Sequence, residues 1–332
     1  MNIAVFGWYH HRNAGDDRLQ YCITRWLDGH TLAFLPAGRP PSVALLRTYD
    51  AVLIGGGGLI MNHGGVLRDM AGWVQAIRVP VGLLGVSIEA LSDTLRGELR
   101  ALLDWCSFAW FRDRGSLEAL GEHPRAFVAP DLTWLYPLPL LPASPANHAA
   151  LCLRRHGGLD VDAWRRAIDR LGRPVTPWPL YFEGGGDTDP LRQVLPETAV
   201  LDEFSIDPLK PATEVISMRY HGVVFGLQTG RPSLAVGHQP KLVRFMNEHA
   251  LAEWRLDEGA IDMLPPLLER LDRRRPQVLD QLHALRDTLL TSASRAAELS
   301  RDRLLTAADR ARRARPRWDR HIRAFLDSRA VL

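Results

Sequence analysis

Asp50-Ala51-Val52-Leu53-Ile54-Gly55-Gly56-Gly57-Gly58-Leu59 is an apolar run that stops in four successive glycines. A short continuous apolar stretch predicts a strand buried on both faces. Glycines at its end leave backbone amides uncovered, so either a ligand or a neighbouring loop can come close. Upstream, Asn2 to Gly7 reads as a second buried strand, and residues 13–28 carry Leu19, Ile23, Trp26 and Leu27 at helical spacing. Downstream, Val66 to Ile77 suits a helix and Val79 to Val86 a strand. Ala109 to Arg112 and Ala126 to Ala129 give two short strands around Ser116 to Leu120. Strands alternating with helices predict an α/β fold, a parallel doubly wound sheet that binds ligands at the C-terminal ends of its strands.

Residues 136–147 (YPLPLLPASPAN) hold four prolines and no helical period, and read as an extended linker. Beyond it the alternation restarts. Ala149 to Arg154, Val175 to Leu180, Val215 to Met218 and Ser233 to Val236 are strand candidates; Ala163 to Leu171 and Val223 to Thr229 are helix candidates. From Pro276 to Arg315, Val278, Leu282, Leu285 and Leu289 recur at helical spacing under an arginine-rich outer face. The expected organisation is two Rossmann-like domains, 1–140 and 148–265, closed by a helical arginine-rich segment, 266–332.

The 332 residues are 46% hydrophobic and 24% charged, which excludes a disordered chain and a stapled mini-protein. Cys22, Cys106 and Cys152 are odd in number, far apart and form no CxxC pair, so neither a disulfide framework nor a zinc site is expected, and a reducing compartment is. No window reaches the length of a membrane span and the N-terminus runs directly into a strand, so the protein is read as cytoplasmic. Net charge is +3, but residues 267–332 hold 16 arginines against 9 acids. No RNA-binding signature or basic zipper accompanies them, so nucleic acid is not an expected partner. With only two lysines in the chain, Lys210 and Lys241, arginine enrichment is general. Solvation of a helix that packs back on the protein is preferred to contact with an anionic membrane surface.

Three segments could carry chemistry. Gly7-Trp8-Tyr9-His10-His11-Arg12-Asn13-Ala14-Gly15-Asp16-Asp17 joins the first strand to the first helix; Asp16 and Asp17 can cap the helix, Asn13 can bridge the loop, and Gly15 permits a turn. Gly56, Gly57 and Gly58 end the next strand, with His63 beyond, and neither a P-loop nor a dinucleotide fingerprint follows. Ser217-Met218-Arg219-Tyr220-His221-Gly222 delivers an arginine fork and an imidazole to a helix start, a combination that attracts anions and can move a proton. Arg154, at a strand end, and Lys241, after His238-Gln239-Pro240, are further cations for the same cleft. Asp187-Thr188-Asp189, between three glycines and a proline, is read as a solvated turn.

Taken together, GWYHHRNAGDD, DAVLIGGGGLI, LLGVSIEAL, FRDRGSLEAL, VAPDLTWLYP, ALCLRR and ISMRYHGVVFGLQTGRPSLAVGHQPKL resemble, in order over residues 3–245, the polysaccharide pyruvyl transferase family. The resemblance implies a GT-B-like arrangement and transfer of a pyruvyl group from phosphoenolpyruvate to sugar hydroxyls as a ketal; no metal ligand set is read from the sequence, and no cofactor is expected beside phosphoenolpyruvate as donor substrate. It assigns Arg154, Arg219 and His221 to the donor, with Tyr220 where relatives often carry leucine and Lys241 beside them. Asn13, Gly15, Gly56, Gly57, Gly58 and His63 fall on the side of the acceptor, a saccharide, lipid-linked or free. His221 is the expected acid or phosphate contact, and Asp16, Asp17 or His63 the group serving acceptor hydroxyls. The competing expectations are a GT-B glycosyltransferase using a nucleotide sugar and a non-catalytic relative that binds an anionic metabolite.

Overall fold

The structure, a computed structural model, describes residues 1–37, 41–60, 65–88 and 91–314. The chain divides into two compact units, one made of Met1–Tyr9, Gln20–Leu132 and the chain from Ser294, the other of His10–Leu19 and Thr133–Ala293. The stretch 266–332 is therefore shared between the two.

The first unit carries β1 (Asn2–Gly7), most of α1 (Ala14–Trp26), β2 (Thr31–Pro36), α2 (Val43–Leu46), β3 (Ala51–Ile60), α3 (Gly65–Ile77), β4 (Val81–Ile88), α4 (Asp93–Leu103), β5 (Cys106–Phe111), α5 (Arg114–Leu120) and β6 (Ala126–Val128). Its strands form one parallel sheet in the order β2-β1-β3-β4-β5-β6. β1, β3 and β4 are buried almost end to end, as expected for central strands of a sheet covered by helices. The glycine run belongs to β3 and pairs with β4, Gly55 opposite Leu84 and Gly57 opposite Val86. At Gly55, with φ 153°, a Cβ would stand 2.0 Å from the Leu84 carbonyl oxygen, so close strand packing demands glycine there. Among the described residues nothing lies within 4 Å of a Cβ built on Gly58.

FRDRGS forms a buried lock at the ends of β4 and β5. Arg112 Nη1 donates to Asp131 Oδ2 at 3.0 Å with both side chains sealed from solvent, and Arg112 Nε donates to Ser87 Oγ. The Ser87 hydroxyl donates to Asp113 Oδ2 at 2.8 Å, and Asp113 Oδ1 caps α5 by accepting the Ser116 amide at 2.7 Å.

The second unit carries β7 (His148–Cys152), α6 (Val161–Asp169), β8 (Val175–Pro177), α7 (Thr188–Val194), β9 (Ala212–Ser217), α8 (Tyr220–Gln228), β10 (Ser233–Val236), α9 (Pro240–Glu248), β11 (Arg255–Leu256), α10 (Leu264–Arg273) and α11 (Arg275–Ala314), the last running on into the first unit. Its sheet order is β11-β10-β9-β7-β8, all parallel, with β8 added on one side of β7 and β9 to β11 on the other, so the strand order reverses between β7 and β9. In α8, Gly222 to Gln228 are buried without a break, which is why its sequence is apolar all round rather than striped. Glu214 in β9 has no solvent exposure and is held by Arg173 Nη1 at 2.8 Å and Arg275 Nη2 at 2.7 Å, tying the first turn of α11 to the sheet.

Several sequence expectations need correction. The edge strands β2 and β11 were not expected. β2, an edge strand only partly buried along its length, contains the apolar run Leu32-Ala33-Phe34-Leu35 that the sequence reading passed over, and β11 has two residues. The proline-rich 136–147 stretch is extended but no free tether: the Leu138 amide donates to Gln228 Oε1 at 3.0 Å and the Leu141 amide to the Thr229 carbonyl at 3.1 Å. Pro276 to Arg315 falls almost wholly within one unbroken helix rather than several. Cys22, Cys106 and Cys152 are buried and form no disulfide among the described residues, and among the described residues no helix is long and apolar enough to cross a membrane.

Burial pushes the imidazole of His249, at the end of α9 and edge-on to Phe245 at 4.6 Å, down to about 4. The unfolded chain takes up that proton near the ordinary histidine value and the folded chain only near 4, so stability present at neutral pH is lost as pH falls between them. Chemical denaturation at pH 7.5 and pH 4.5 should show the wild type losing about 2.5 kcal/mol more than His249→Asn across that interval.

Candidate functional site

The second unit gathers two of the three chemical segments at the C-terminal end of β9. Ser217 makes the corner: its hydroxyl accepts the Arg219 amide at 3.0 Å and donates to the Arg219 carbonyl at 2.9 Å, turning the strand into α8. A Cβ on Gly222 would lie 2.1 Å from Ser217 Oγ, so the serine and the glycine of SMRYHG are one steric unit.

Arg219, read from the sequence as an anion-binding fork, has a carboxylate partner within the unit. Its Nε donates to Asp187 Oδ1 and Oδ2 at 2.8 and 2.9 Å, Nη2 also donates to Oδ1, and the guanidinium lies over the Tyr181 ring at 5.2 Å. Among the described residues Nη1 has no hydrogen-bond partner, so one edge of the fork is used and the other is presented. Asp187 is no solvated turn. Its side chain has no solvent exposure and accepts the amides of Leu180 and Tyr181 at 3.1 and 3.0 Å. Burial pushes its carboxyl above the usual range, with Arg219 and the two amides pulling the other way. Asp187 and Tyr181 are the residues that sequence reasoning missed. A carboxylate next to a helix start was visible, but its arginine lies 32 positions away, on another strand end.

The loop from His10 to Leu19 clusters with this unit and is zipped onto residues 180–183. Asn13 bridges Tyr181, the Ala14 amide donates to the Leu180 carbonyl at 2.8 Å, and the Phe182 amide donates to the Arg12 carbonyl at 3.1 Å. His11 Nδ1 and Glu183 Oε2 stand 3.0 Å apart, and the Tyr181 hydroxyl donates to the same Glu183 oxygen at 3.2 Å. His10 and Arg12 both hold positive φ, 68° and 48°, a conformation that costs side-chain-bearing residues energy and persists where surroundings enforce it. Helix α1 is capped by Asn13, whose Oδ1 accepts the Gly15 amide at 3.1 Å. Asp16, 8% exposed, and Asp17, exposed, follow in its first turn instead of capping it. Loss of water pushes the Asp17 carboxyl up, and His10 partly offsets this.

The two segments meet at Gly15 and His221. A Cβ on Gly15 would lie 1.9 Å from His221 Nδ1, so the first turn of α1 is glycine because the imidazole occupies the space. The ring is stacked on Phe225 at 5.6 Å and meets Tyr220 edge-on at 5.2 Å. Tyr220 itself is 5% exposed and edge-on to Phe245, a core residue rather than a rim group. Arg154 follows β7, which neighbours β9 across the switch point, where open α/β sheets bind ligands. Lys241 is the second residue of α9, after β10. Gly56, Gly57 and Gly58 lie in the first unit, and His63 lies outside the described residues.

Three substitutions separate holding the site from using it. Asp187→Asn strands a buried guanidinium and should cost about 3 kcal/mol in chemical denaturation; adding Arg219→Gln, which makes a neutral amide pair, should recover part of that loss without restoring activity. Gly15→Ala forces His221 from its seat and should lower turnover about a hundredfold, with secondary structure by circular dichroism unchanged.

The solved structures that this chain is similar to share its fold at low sequence identity. A glycosyltransferase from Rickettsia africae is 10% identical, with 91% of this chain and 98% of that one covered at a TM-score of 0.62. HepE from Anabaena, solved in complex with UDP and glucose, is 12% identical, with 93% and 98% covered and a TM-score of 0.56. A UDP-GlcNAc 2-epimerase from Neisseria meningitidis, bound to UDP-GlcNAc, is 10% identical, with 85% and 94% covered and a TM-score of 0.52. The likeness is to the α/β fold of GT-B glycosyltransferases and, at these identities, to the fold alone. No curated protein matches the chain in sequence. The family model for polysaccharide pyruvyl transferase matches residues 5–240. That span runs from β1 to the first residue of α9 and includes both the GDD loop and the Arg219 corner. With well over half its length matched, the chain belongs to the polysaccharide pyruvyl transferase family.

Proposed function

We propose that this transferase moves the pyruvyl group of phosphoenolpyruvate onto two hydroxyls of a saccharide, forming a ketal and releasing phosphate in the cytoplasm. The observation that supports this most is the meeting of Gly15 and His221 in the segment that also carries Arg219, an arginine held by Asp187 through Nε and Nη2 with Nη1 left over. It joins a proton-transfer group and a cation at one strand end, in a chain of this family.

The chemistry needs both. A proton is added to the methylene carbon of phosphoenolpyruvate, and an acceptor hydroxyl bonds to the central carbon as it loses its own proton. Phosphate then leaves with the electron pair of the broken C–O bond, and the second hydroxyl closes the ring. Of the two protons lost by the hydroxyls, one balances the new methyl group and the other leaves with phosphate. Arg219 Nη1, Arg154 and Lys241 are assigned to the donor's carboxylate and phosphate, where charge-assisted hydrogen bonds are strongest. Amides in the first turn of α8 add to that grip. His221 is assigned as the acid, with Asp16 or Asp17 serving an acceptor hydroxyl. Gly56 to Gly58 and His63 stay on the acceptor side on the strength of the family alone.

Ligand protection and phosphate release test the proposal together. Phosphoenolpyruvate at a hundredfold excess over its Kd should stabilise the protein by about 2.7 kcal/mol, and Arg154→Ala should weaken that binding at least tenfold, as loss of a charge-assisted hydrogen bond does. Protection by UDP-sugars with none from phosphoenolpyruvate would replace the proposal with nucleotide-sugar transfer. Phosphoenolpyruvate binding with no phosphate release across a range of saccharide acceptors would leave a non-catalytic relative.

A further inference from the structure

A cavity of about 260 Å³ opens at the C-terminal ends of β7, β9 and β10, over an apolar floor of Met218 and Val236. The chain leaves β10 through Gly237, whose φ of 117° suits glycine. Its amide donates to the Leu256 carbonyl at 2.9 Å and its carbonyl accepts Arg255 Nη1 at 3.2 Å. Helix α9 starts at Pro240, so His238 is held between a glycine tied to β11 and a helix start. His238 and Arg154 both line the cavity. His238 is exposed, and among the described residues its ring has no hydrogen bond or ion pair. The other imidazole of the lining, His156, stands with Nε2 2.8 Å from Glu258 Oε1, both atoms buried. The single carboxylate of the described lining thus faces an imidazole, and Arg154 and His238 make the rest of the cavity basic.

Pyruvyl transfer delivers protons to two atoms of the donor, the methylene carbon and the oxygen that bridges carbon and phosphorus, and His221 is assigned to the first. The bridging oxygen gains charge as phosphate departs, and one positioned imidazole can supply both a charge-assisted hydrogen bond and the proton. We propose that His238, with Arg154, holds the phosphate end of the donor in this cavity and protonates the bridging oxygen as the C–O bond breaks. The proposal rests on the pyruvyl transfer set out above and adds a second acid to it. Phosphate carries more charge than the carboxylate and is met here by two side chains, whereas Arg219 keeps one nitrogen, Nη1, beyond its bonds to Asp187. In the balanced step, the first hydroxyl bonds to the central carbon and the methylene carbon takes a proton from His221. The electron pair of the broken C–O bond goes to the bridging oxygen, which takes the proton of His238. The second hydroxyl then bonds to the same carbon, and the two protons released by the hydroxyls return both imidazoles to their starting state.

Titration calorimetry on the full chain, with phosphoenolpyruvate and with inorganic phosphate, tests it, since the exposed His238 can be replaced without opening the core. His238→Gln should weaken phosphoenolpyruvate binding at least tenfold, as loss of a charge-assisted hydrogen bond does. Inorganic phosphate, which has no carboxylate, should lose affinity by a similar factor. At about pH 8, where an ordinary imidazole is mostly neutral, the wild type should take up protons on binding phosphoenolpyruvate, read by comparing buffers of different ionisation enthalpy. His238→Gln should take up fewer. With any saccharide acceptor that supports phosphate release by the wild type, release by His238→Gln should be about a hundredfold slower. Equal phosphoenolpyruvate affinity, equal proton uptake or undiminished phosphate release in the variant overturns the proposal. If the wild type binds no phosphoenolpyruvate but holds inorganic phosphate through His238, the result counts against the donor and leaves the phosphate seat standing.

Discussion

The ion pair between Asp187 and Arg219 is the constraint on which the candidate site depends. Two charged groups leave water at a considerable cost, recovered only if geometry is good and remaining hydrogen-bonding capacity is met. Here Asp187 collects the fork of Arg219 and the amides of Leu180 and Tyr181. Those amides belong to the segment that the His10–Leu19 loop is zipped against. One carboxylate therefore fixes a cation, a backbone stretch and, through that stretch, the loop that brings Gly15 to His221.

Much of the architecture was legible because buried parallel strands are written as continuous apolar runs and surface helices as stripes. β1, β3, β4, β7, β9 and β10 were all readable in this way. β2 was overlooked although Leu32-Ala33-Phe34-Leu35 is such a run, and nothing local told that Tyr220, beside an Arg-x-His element, would pack edge-on against Phe245. The partnership of Arg219 with Asp187 was beyond reach for a different reason. It joins side chains from separate strand ends, and local pattern carries no information about which ends converge. Gly15 shows the reverse limit: its presence was noticed, but the imidazole that requires it comes from 206 positions further on.

The glycines of this chain do two different jobs. Gly55 and Gly222 are required by close approach of a carbonyl and of a hydroxyl to the backbone, and Gly15 by the approach of a ring. Among the described residues Gly58 meets nothing, so no contact with them requires its lack of a side chain. A run of four glycines that looks uniform in sequence thus contains a packing position at one end and an open position at the other.

Neither compact unit is drawn from one uninterrupted piece of chain. During synthesis, the segment that the Asp187 region receives has emerged long before its partner strand exists. The unit that begins at the first residue also waits for the far half of α11 before its share of the chain is complete. Stalling or truncating translation anywhere between the two sheets would therefore release a product with both units missing parts, so this architecture favours assembly after the polypeptide has left the ribosome over stepwise, unit-by-unit maturation.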